Sequence, residues 1–128
     1  MAATTATDTV LIVEDNPAVQ HTLELILGAM GYAVDLAGSG DEALPLLVYR
    51  DYTAVVCDVM MPGMQGDELF WACQARRPEI ARRFVFLTGS LAVAAEPCPL
   101  ERTGQPWLAK PCRIHELRDA IASVAISA

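Results

Sequence analysis

The sequence predicts a single α/β domain in which a five-stranded parallel sheet carries helices on both faces. Two observations predict this class. Five short apolar runs of strand type alternate with helical segments along the chain. The 128 residues, of which 53% are hydrophobic and 20% charged, suit one globular core. We expect the domain to span residues 9–126 and to follow a disordered tail of residues 1–8. Right-handed crossovers bring the strand ends to one sheet edge.

The first strand and helix have the clearest local signals. An apolar run at residues 10–13 predicts a buried strand. Asn16 is a strong helix N-cap, Pro17 suits the first helical position, and Gly31 predicts the helix end. The helix between them has apolar residues at helical spacing: Val19, Leu23, Ile26, Leu27 and Met30.

The second helix is the least regular of those predicted in the first half of the chain. A short strand at residues 32–36 precedes it, and a buried strand that ends at Asp58 follows it. Pro45 in a helix interior would cost about 3 kcal/mol. We therefore predict that Asp41 is the N-cap, so that Pro45 falls in the first turn, or that the helix is kinked.

The second half of the chain predicts two further strands and two regular helices. One helix begins at Gly66 and ends before Pro78, and the strands cover residues 84–87 and 106–109. Two prolines, at positions 97 and 99, predict a short or irregular fourth helix between these strands. The last helix has its apolar face at Ile114, Leu117, Ile121 and Val124.

Charge and composition exclude several functions. The net charge of −7 provides no basic surface for phosphates, so we expect no nucleic-acid partner. No run approaches the roughly 20 apolar residues of a membrane span, which predicts no membrane insertion. The four cysteines show no C-x-x-C spacing, which indicates reduced thiols, and we expect a cytoplasmic protein.

Polar residues at the predicted strand ends form the candidate site: Glu14, Asp15, Asp58, Thr88 and Lys110. Three carboxylates at one edge repel each other unless a cation joins them, and Mg²⁺ suits such a set. The Thr88 hydroxyl and the Lys110 ammonium could bind phosphoryl oxygens, with Asp58 as the nucleophile that forms an acyl phosphate. Individually, each of these residues is also compatible with an ordinary turn or strand end.

Four ordered motifs give the chain a specific resemblance. Residues 11–17 (LIVEDNP), 58–64 (DVMMPGM), 86–89 (FLTG) and 108–111 (LAKP) together resemble the receiver, or response-regulator, domain of two-component signalling. The resemblance implies a flavodoxin-like sheet with strand order 2-1-3-4-5. It also implies a signalling domain rather than an enzyme. Such a domain takes a phosphoryl group from a histidine kinase or histidine phosphotransfer protein.

The same resemblance assigns roles to single residues. It implies that Asp58 is the phosphoacceptor and that Lys110 pairs with the phosphoryl group. Mg²⁺ would be held by Glu14, Asp15, Asp58 and the main-chain carbonyl of Met60. Thr88 and Trp107 occupy the switch positions, although Trp107 could equally be a packing residue. The sequence around residues 100–106 is most similar to receivers of hybrid histidine kinases.

Alternatives remain beside this interpretation. A haloacid-dehalogenase-like phosphatase would need a second Asp where Met60 stands, and a pseudo-receiver that only binds partners would normally lack an acid or the lysine. The sequence leaves open whether the chain acts alone or as a module of a hybrid kinase. The irregular fourth helix places the common dimerisation surface in doubt, so any homodimer is expected to be weak.

Overall fold

The computed structural model describes residues 8–89, 100–110 and 112–126. Its sheet is entirely parallel, in the order β2-β1-β3-β4-β5. The strands are β1 (Thr9–Val13), β2 (Ala33–Ala37), β3 (Ala54–Asp58), β4 (Phe84–Thr88) and β5 (Trp107–Ala109). Both the predicted fold class and the strand order implied by the resemblance are confirmed.

Helices join the strands. They are α1 (Pro17–Ala29), α2 (Gly40–Tyr49), α3 (Gly66–Arg76), the single turn α4 (Pro78–Ala81) and α5 (Ile114–Ile126). A 3₁₀ turn, Glu101–Thr103, precedes β5. The turn α4 was not predicted, although proline at its first position is favourable. The expected helix between β4 and β5 falls mainly on residues 90–99, which lie outside the described residues.

Two hydrophobic cores lie on opposite faces of the sheet. Alternate residues of the central strands point to each side, so that Leu11 packs with α2 and α3 while Ile12 packs with α1 and α5. All residues of β3 and β4 are buried, which explains why these strands read as continuous apolar runs. Packed side chains therefore cover both faces of the sheet and hold its strands in place.

The first helix forms as its sequence predicts. The Asn16 side chain accepts hydrogen bonds from the Ala18 and Val19 N–H groups at 2.9 and 3.3 Å. Gly31 adopts a φ of +98°, the left-handed conformation that ends helices. These caps fix where the chain leaves β1, and hence where the residues between β1 and α1 lie.

The second helix begins earlier than predicted. Its N-cap is Ser39, whose hydroxyl accepts from the Glu42 N–H at 3.1 Å, while Glu42 accepts from the Gly38 N–H at 2.7 Å. The prediction that Asp41 is the N-cap is therefore wrong, and Pro45 lies inside the helix. The Ser39 and Glu42 side chains thus satisfy the N–H groups of Glu42 and Gly38, which explains the earlier start.

Ile114 does not belong to the buried face of the last helix. Its side chain is 57% exposed, whereas Leu117, Ile121 and Val124 are buried. The position of Ile114 at the very start of α5 takes it beyond the sheet. Neither Cys112 nor Arg113, which precede α5, is a strong N-cap residue. The Arg113 N–H instead donates to Glu116 Oε1 at 2.8 Å.

The chain ends bear on the predicted boundaries. Residues 1–7 of the predicted tail lie outside the described residues, whereas the Asp8 carbonyl accepts a hydrogen bond from the Ala33 N–H at 3.0 Å. The boundaries at 9 and 126 stay predictions. Among the residues that the structure describes, no helix has the length and apolarity needed to cross a membrane.

Candidate functional site

Five predicted site residues lie at the carboxyl edge of the sheet. Glu14 and Asp15 follow β1, Asp58 ends β3, Thr88 ends β4, and Lys110 follows β5. Oxygen atoms of Glu14, Asp15 and Asp58 lie within 4.8 Å of one another. Glu14 and Asp58 are only 2% and 6% exposed, whereas Asp15 is open to solvent. The fold thus brings together the three acids that the sequence analysis grouped.

Lys110 joins the two buried acids. Its Nζ lies 3.0 Å from Glu14 Oε1 and 3.3 Å from Asp58 Oδ2. The Lys110 main-chain N–H donates to the Thr88 carbonyl at 2.8 Å, which extends the β4–β5 pairing beyond the strand. One ammonium group is therefore held between two carboxylates that would otherwise repel each other.

These contacts shift the pKa values of two groups. Burial raises the pKa of Glu14 above its ordinary value of 4.5, and the Asp58 charge adds to this, although bonds from Lys110 and the Asn16 N–H oppose it. Burial would lower the pKa of Lys110, but the hydrogen bonds and charges of Glu14 and Asp58 together raise it above 10.5. Lys110 is consequently protonated at neutral pH.

Two groups that the sequence analysis did not identify orient Glu14. The Asn16 N–H donates to Glu14 Oε2 at 3.1 Å, and Gln20 Nε2 donates to the Glu14 carbonyl at 3.2 Å. Asn16 was predicted only as a cap, and Gln20 was not singled out. The position of Gln20 in the second turn of α1, close to the end of β1, is the only sequence signal for its role.

Asp58 and Thr88 each also make a hydrogen bond with the main chain. The Met60 N–H donates to Asp58 Oδ1 at 3.3 Å. The buried Thr88 hydroxyl donates to the Gly89 carbonyl at 3.2 Å. Thr88 is therefore at the predicted edge, with its hydroxyl bonded locally.

The remaining predicted residues lie around this centre. Met60 follows Asp58 by two positions, and its side chain is 55% exposed. Trp107 on β5 pairs in register with Phe86 and packs, partly buried, against the core on the α2 and α3 side. The structure therefore places Trp107 on the strand next to Thr88, consistent with either of the two roles considered for it.

The donor set fits a hard divalent cation. Three carboxylates that each offer an oxygen within 4.8 Å match the ligand preference of Mg²⁺, and one of them is exposed to solvent. The Cys57 thiol precedes Asp58 in the sequence but is unsuited as a metal ligand. Burial and the Asp58 charge raise the pKa of Cys57 well above 9.0, so the thiol stays protonated. The oxygen ligands favour Mg²⁺ over thiolate-binding metals.

An apolar groove of about 500 Å³ adjoins the acidic cluster. It lies between α1 and the start of α5, and the exposed Ile114 is part of its lining. Leu87 and Lys110 also line it, so the groove shares Lys110 with the acidic site. The other apolar lining residues are Ala18, Val19, Leu23, Ile26, Cys112 and Leu117. The sequence analysis did not predict this groove.

The family model of the response regulator receiver domain matches residues 10–122, nearly the whole chain. The chain belongs to this family. It is accordingly a response regulator receiver domain of two-component systems, a signalling domain rather than a classical enzyme. The resemblance drawn from the four motifs is confirmed.

Curated relatives agree with this assignment. The transcriptional regulatory protein TcrA of Mycobacterium tuberculosis is 33% identical over 108 residues, which are 84% of this chain and 42% of TcrA. The probable transcriptional regulator ycf27 of Cyanophora paradoxa is 33% identical over 115 residues, covering 90% of this chain and 47% of that protein. The receiver domain thus spans less than half the length of these relatives.

A solved structure shows the same fold. The receiver domain of the sensor histidine kinase PA1611 from Pseudomonas aeruginosa superposes with a TM-score of 0.80 at 28% identity. The match covers 92% of this chain and 97% of that one. That structure holds a magnesium ion in its active-site cleft.

Proposed function

We propose that this receiver domain accepts a phosphoryl group on Asp58 from a phosphohistidine of a histidine kinase or histidine phosphotransfer protein. The observation that carries the proposal is the bridge formed by Lys110 between Glu14 and Asp58, beside the exposed Asp15. A single nucleophilic carboxylate, a fixed ammonium and further acids for a cation are the parts that phosphoryl transfer uses.

In the proposed reaction an Asp58 carboxylate oxygen attacks phosphorus. The new P–O bond forms as the P–N bond to the donor histidine breaks, and the imidazole nitrogen leaves with the electron pair of that bond. The Lys110 Nζ already lies 3.3 Å from Asp58 Oδ2. Its positive charge can therefore stabilise the negative charge of the transferred phosphoryl group. Buried surroundings strengthen this interaction.

Glu14, Asp15, Asp58 and the Met60 carbonyl would hold Mg²⁺. When bound, this ion neutralises charge on the phosphoryl oxygens. The chain itself orients the acids, because Asn16 and Gln20 fix Glu14 while the Met60 N–H contacts Asp58. In this proposal the receiver domain catalyses only its own phosphorylation and dephosphorylation.

The groove between α1 and α5 is where we place the donor. An apolar face on a helix of the donor would bury the groove lining while its histidine reaches Asp58, because the lining includes Lys110 at the sheet edge. A cytoplasmic location belongs to the same proposal, on family membership alone. The assignment of Thr88 and Trp107 as the switch pair also belongs here.

The test is intact-mass measurement after incubation with Mg²⁺ and acetyl phosphate. We expect one added phosphoryl group in the natural chain and none in Asp58→Asn or with Mg²⁺ removed by chelation. Asp119→Asn, which changes an exposed acid on α5, is the matched control and should be phosphorylated.

If the natural chain gains no phosphoryl group, a purified phosphorylated histidine phosphotransfer protein is tried as donor. Absence of transfer from both donors would contradict the proposal and favour a pseudo-receiver. Transfer that survives in Asp58→Asn would place the acceptor elsewhere.

A further inference from the structure

The β3–α3 loop, residues 59–65, contains Met60, whose carbonyl is one of the proposed cation ligands. Main-chain hydrogen bonds hold the start of the loop. The Val59 N–H donates to the Leu87 carbonyl at 3.1 Å, and the Gly66 N–H donates back to the Val59 carbonyl at 2.9 Å. Both ends of the loop therefore lie beside Asp58. The path of the loop between these ends depends on the contacts that its other residues make.

Gly66 permits one close approach. A Cβ atom at this position would lie 2.5 Å from the Asp58 carbonyl oxygen and 2.9 Å from the Val59 Cα. Both neighbours are main-chain atoms, which have no rotamer through which to move away. The first turn of α3 rests directly on the Asp58 peptide only because residue 66 has no side chain.

Gly40 permits a second close approach, between α2 and the loop. It is the first residue of α2, and a Cβ atom there would lie 2.9 Å from Met64 Cβ and 3.0 Å from the Met64 carbonyl oxygen. Immediately before Met64, Gly63 turns the chain with a φ of +76°. The loop is thus packed against α2 at Met64 and against β3 at Gly66.

We infer that Gly40 and Gly66 are positioning residues for the cation site. By admitting these two contacts they fix the β3–α3 loop, and through it the direction of the Met60 carbonyl relative to Asp58. The inference rests on the proposed function, since it concerns the same cation. It assigns to the start of α2, which contributes no ligand, a part in cation affinity.

Substitution of either glycine should displace the loop without removing any ligand. A Cβ on residue 40 pushes Met64 outward, and the shift passes along the four peptide units between Met64 and Met60. Alanine is a better helix former than glycine, so α2 itself is not weakened by Gly40→Ala. The effect should appear in cation binding and not as a loss of the helix.

The experiment is calorimetric titration of the intact chain with MgCl₂. We expect Gly40→Ala to raise the Kd for Mg²⁺ about tenfold, the lower end of what loss of outer-shell support costs metal sites. Gly28→Ala is the matched control, because a Cβ at this position of α1 meets no atom within 4 Å. Its Kd should equal that of the natural chain.

A rescue variant separates positioning from general damage. Met64→Gly removes the side-chain atoms that a Cβ on residue 40 would meet. In the Met64→Gly background, Gly40→Ala should therefore raise the Kd by a clearly smaller factor. Gly66→Ala should weaken binding as well, and urea unfolding of each variant identifies any chain that fails to fold.

The outcomes distinguish this inference from the proposed function. If the natural chain does not bind Mg²⁺, the proposed function fails. If it binds, and Gly40→Ala binds as tightly as Gly28→Ala, the positioning role is overturned. An undiminished effect of Gly40→Ala in the Met64→Gly background would overturn transmission through the Met64 side chain, because only the contact with the Met64 carbonyl oxygen remains there.

Discussion

At the scale of single residues, the site is governed by an imbalance of charge. Lys110 contacts both Glu14 and Asp58, so one positive charge faces two buried negative charges, with Asp15 in solvent beside them. Burial makes each of these interactions stronger than it would be in water. The excess of negative charge is what a divalent cation would offset.

The first prediction concerns the pH dependence of cation binding. The pKa of Glu14 is raised above 4.5, so the folded chain retains this proton at pH values where an ordinary glutamate has lost it. Because Mg²⁺ needs the carboxylate, its affinity should begin to fall, as pH is lowered, at a higher pH than an ordinary glutamate would cause.

Titration calorimetry in two buffers of different ionisation enthalpy measures both the affinity and the protons released. In Glu14→Gln, whose baseline affinity will be lower, the slope of affinity against pH should be shallower. An identical slope in Glu14→Gln would show that Glu14 is not the group responsible.

The second prediction concerns the lifetime of the phosphorylated state. The exposed, apolar Met60 side chain stands two residues after Asp58, where it can hinder the approach of water. Met60→Ser should therefore speed the loss of the phosphoryl group, followed by intact mass over time after the donor is removed. Leu25→Ser, an equally exposed apolar residue on α1, is the control. An unchanged lifetime in Met60→Ser would refute the shielding role.

At the scale of elements, α2 combines a strong start with an unfavourable interior. At its beginning the Ser39 and Glu42 side chains accept hydrogen bonds from the N–H groups of Glu42 and Gly38, and Gly40 packs closely against Met64. Pro45 consequently lies in the interior, where it cannot donate a hydrogen bond. The position of this helix start thus takes precedence over the regularity of the helix.

Replacing Pro45 with alanine should stabilise the fold. Alanine restores an N–H in the helix interior, which stabilises the folded chain by up to about 3 kcal/mol. Loss of proline also gives the unfolded chain more freedom, which reduces this gain by about 1 kcal/mol. We expect the free energy of unfolding in urea to rise by roughly 1–2 kcal/mol. Pro17→Ala, at the first position of α1, should bring no gain, because proline is favourable there. Equal changes in the two variants would contradict this reasoning.

At the scale of the whole molecule, phosphorylation would act on the face that contains β4 and β5. It adds about 1.5 to 2 negative charges and three acceptor oxygens at Asp58. Thr88 now bonds only to its neighbour Gly89 among the described side-chain contacts, so its hydroxyl has a new partner to gain. A population shift requires such a difference in contacts between two states.

Tryptophan fluorescence can follow this switch. With beryllium fluoride and Mg²⁺ as the phosphoryl mimic, Trp107 should turn inward, and its emission should move to shorter wavelength. The measurement needs a Trp71→Phe background, because Trp71 is 47% exposed and would mask the signal. Asp58→Asn in that background is the control. An unaltered spectrum would mean that Trp107 is a packing residue and not the reporter.

Much of this fold could be predicted because its signals are local. The strands β1, β3 and β4 are buried on both faces, so their sequences are plainly apolar, and Asn16 with Pro17 marks a helix start. Asp41 was mistaken for a cap because the cost of Pro45 in a helix interior favoured a late start, although Ser39 and Glu42 stand at the spacing of a capping box. The orientation of Glu14 by Gln20, the groove and the exposure of Ile114 depend on how elements pack, which periodicity does not reveal.

The bond between Lys110 and Glu14 joins residues 96 positions apart. Closing so long a segment is entropically costly and comes late, after the nearer strands have paired. During synthesis on the ribosome, the three acids of the site would therefore exist without Lys110 as their counter-charge until β5 emerges. If Lys110 is needed for phosphoryl transfer, as the proposed function requires, a chain still on the ribosome would not accept a phosphoryl group until β5 and Lys110 had emerged.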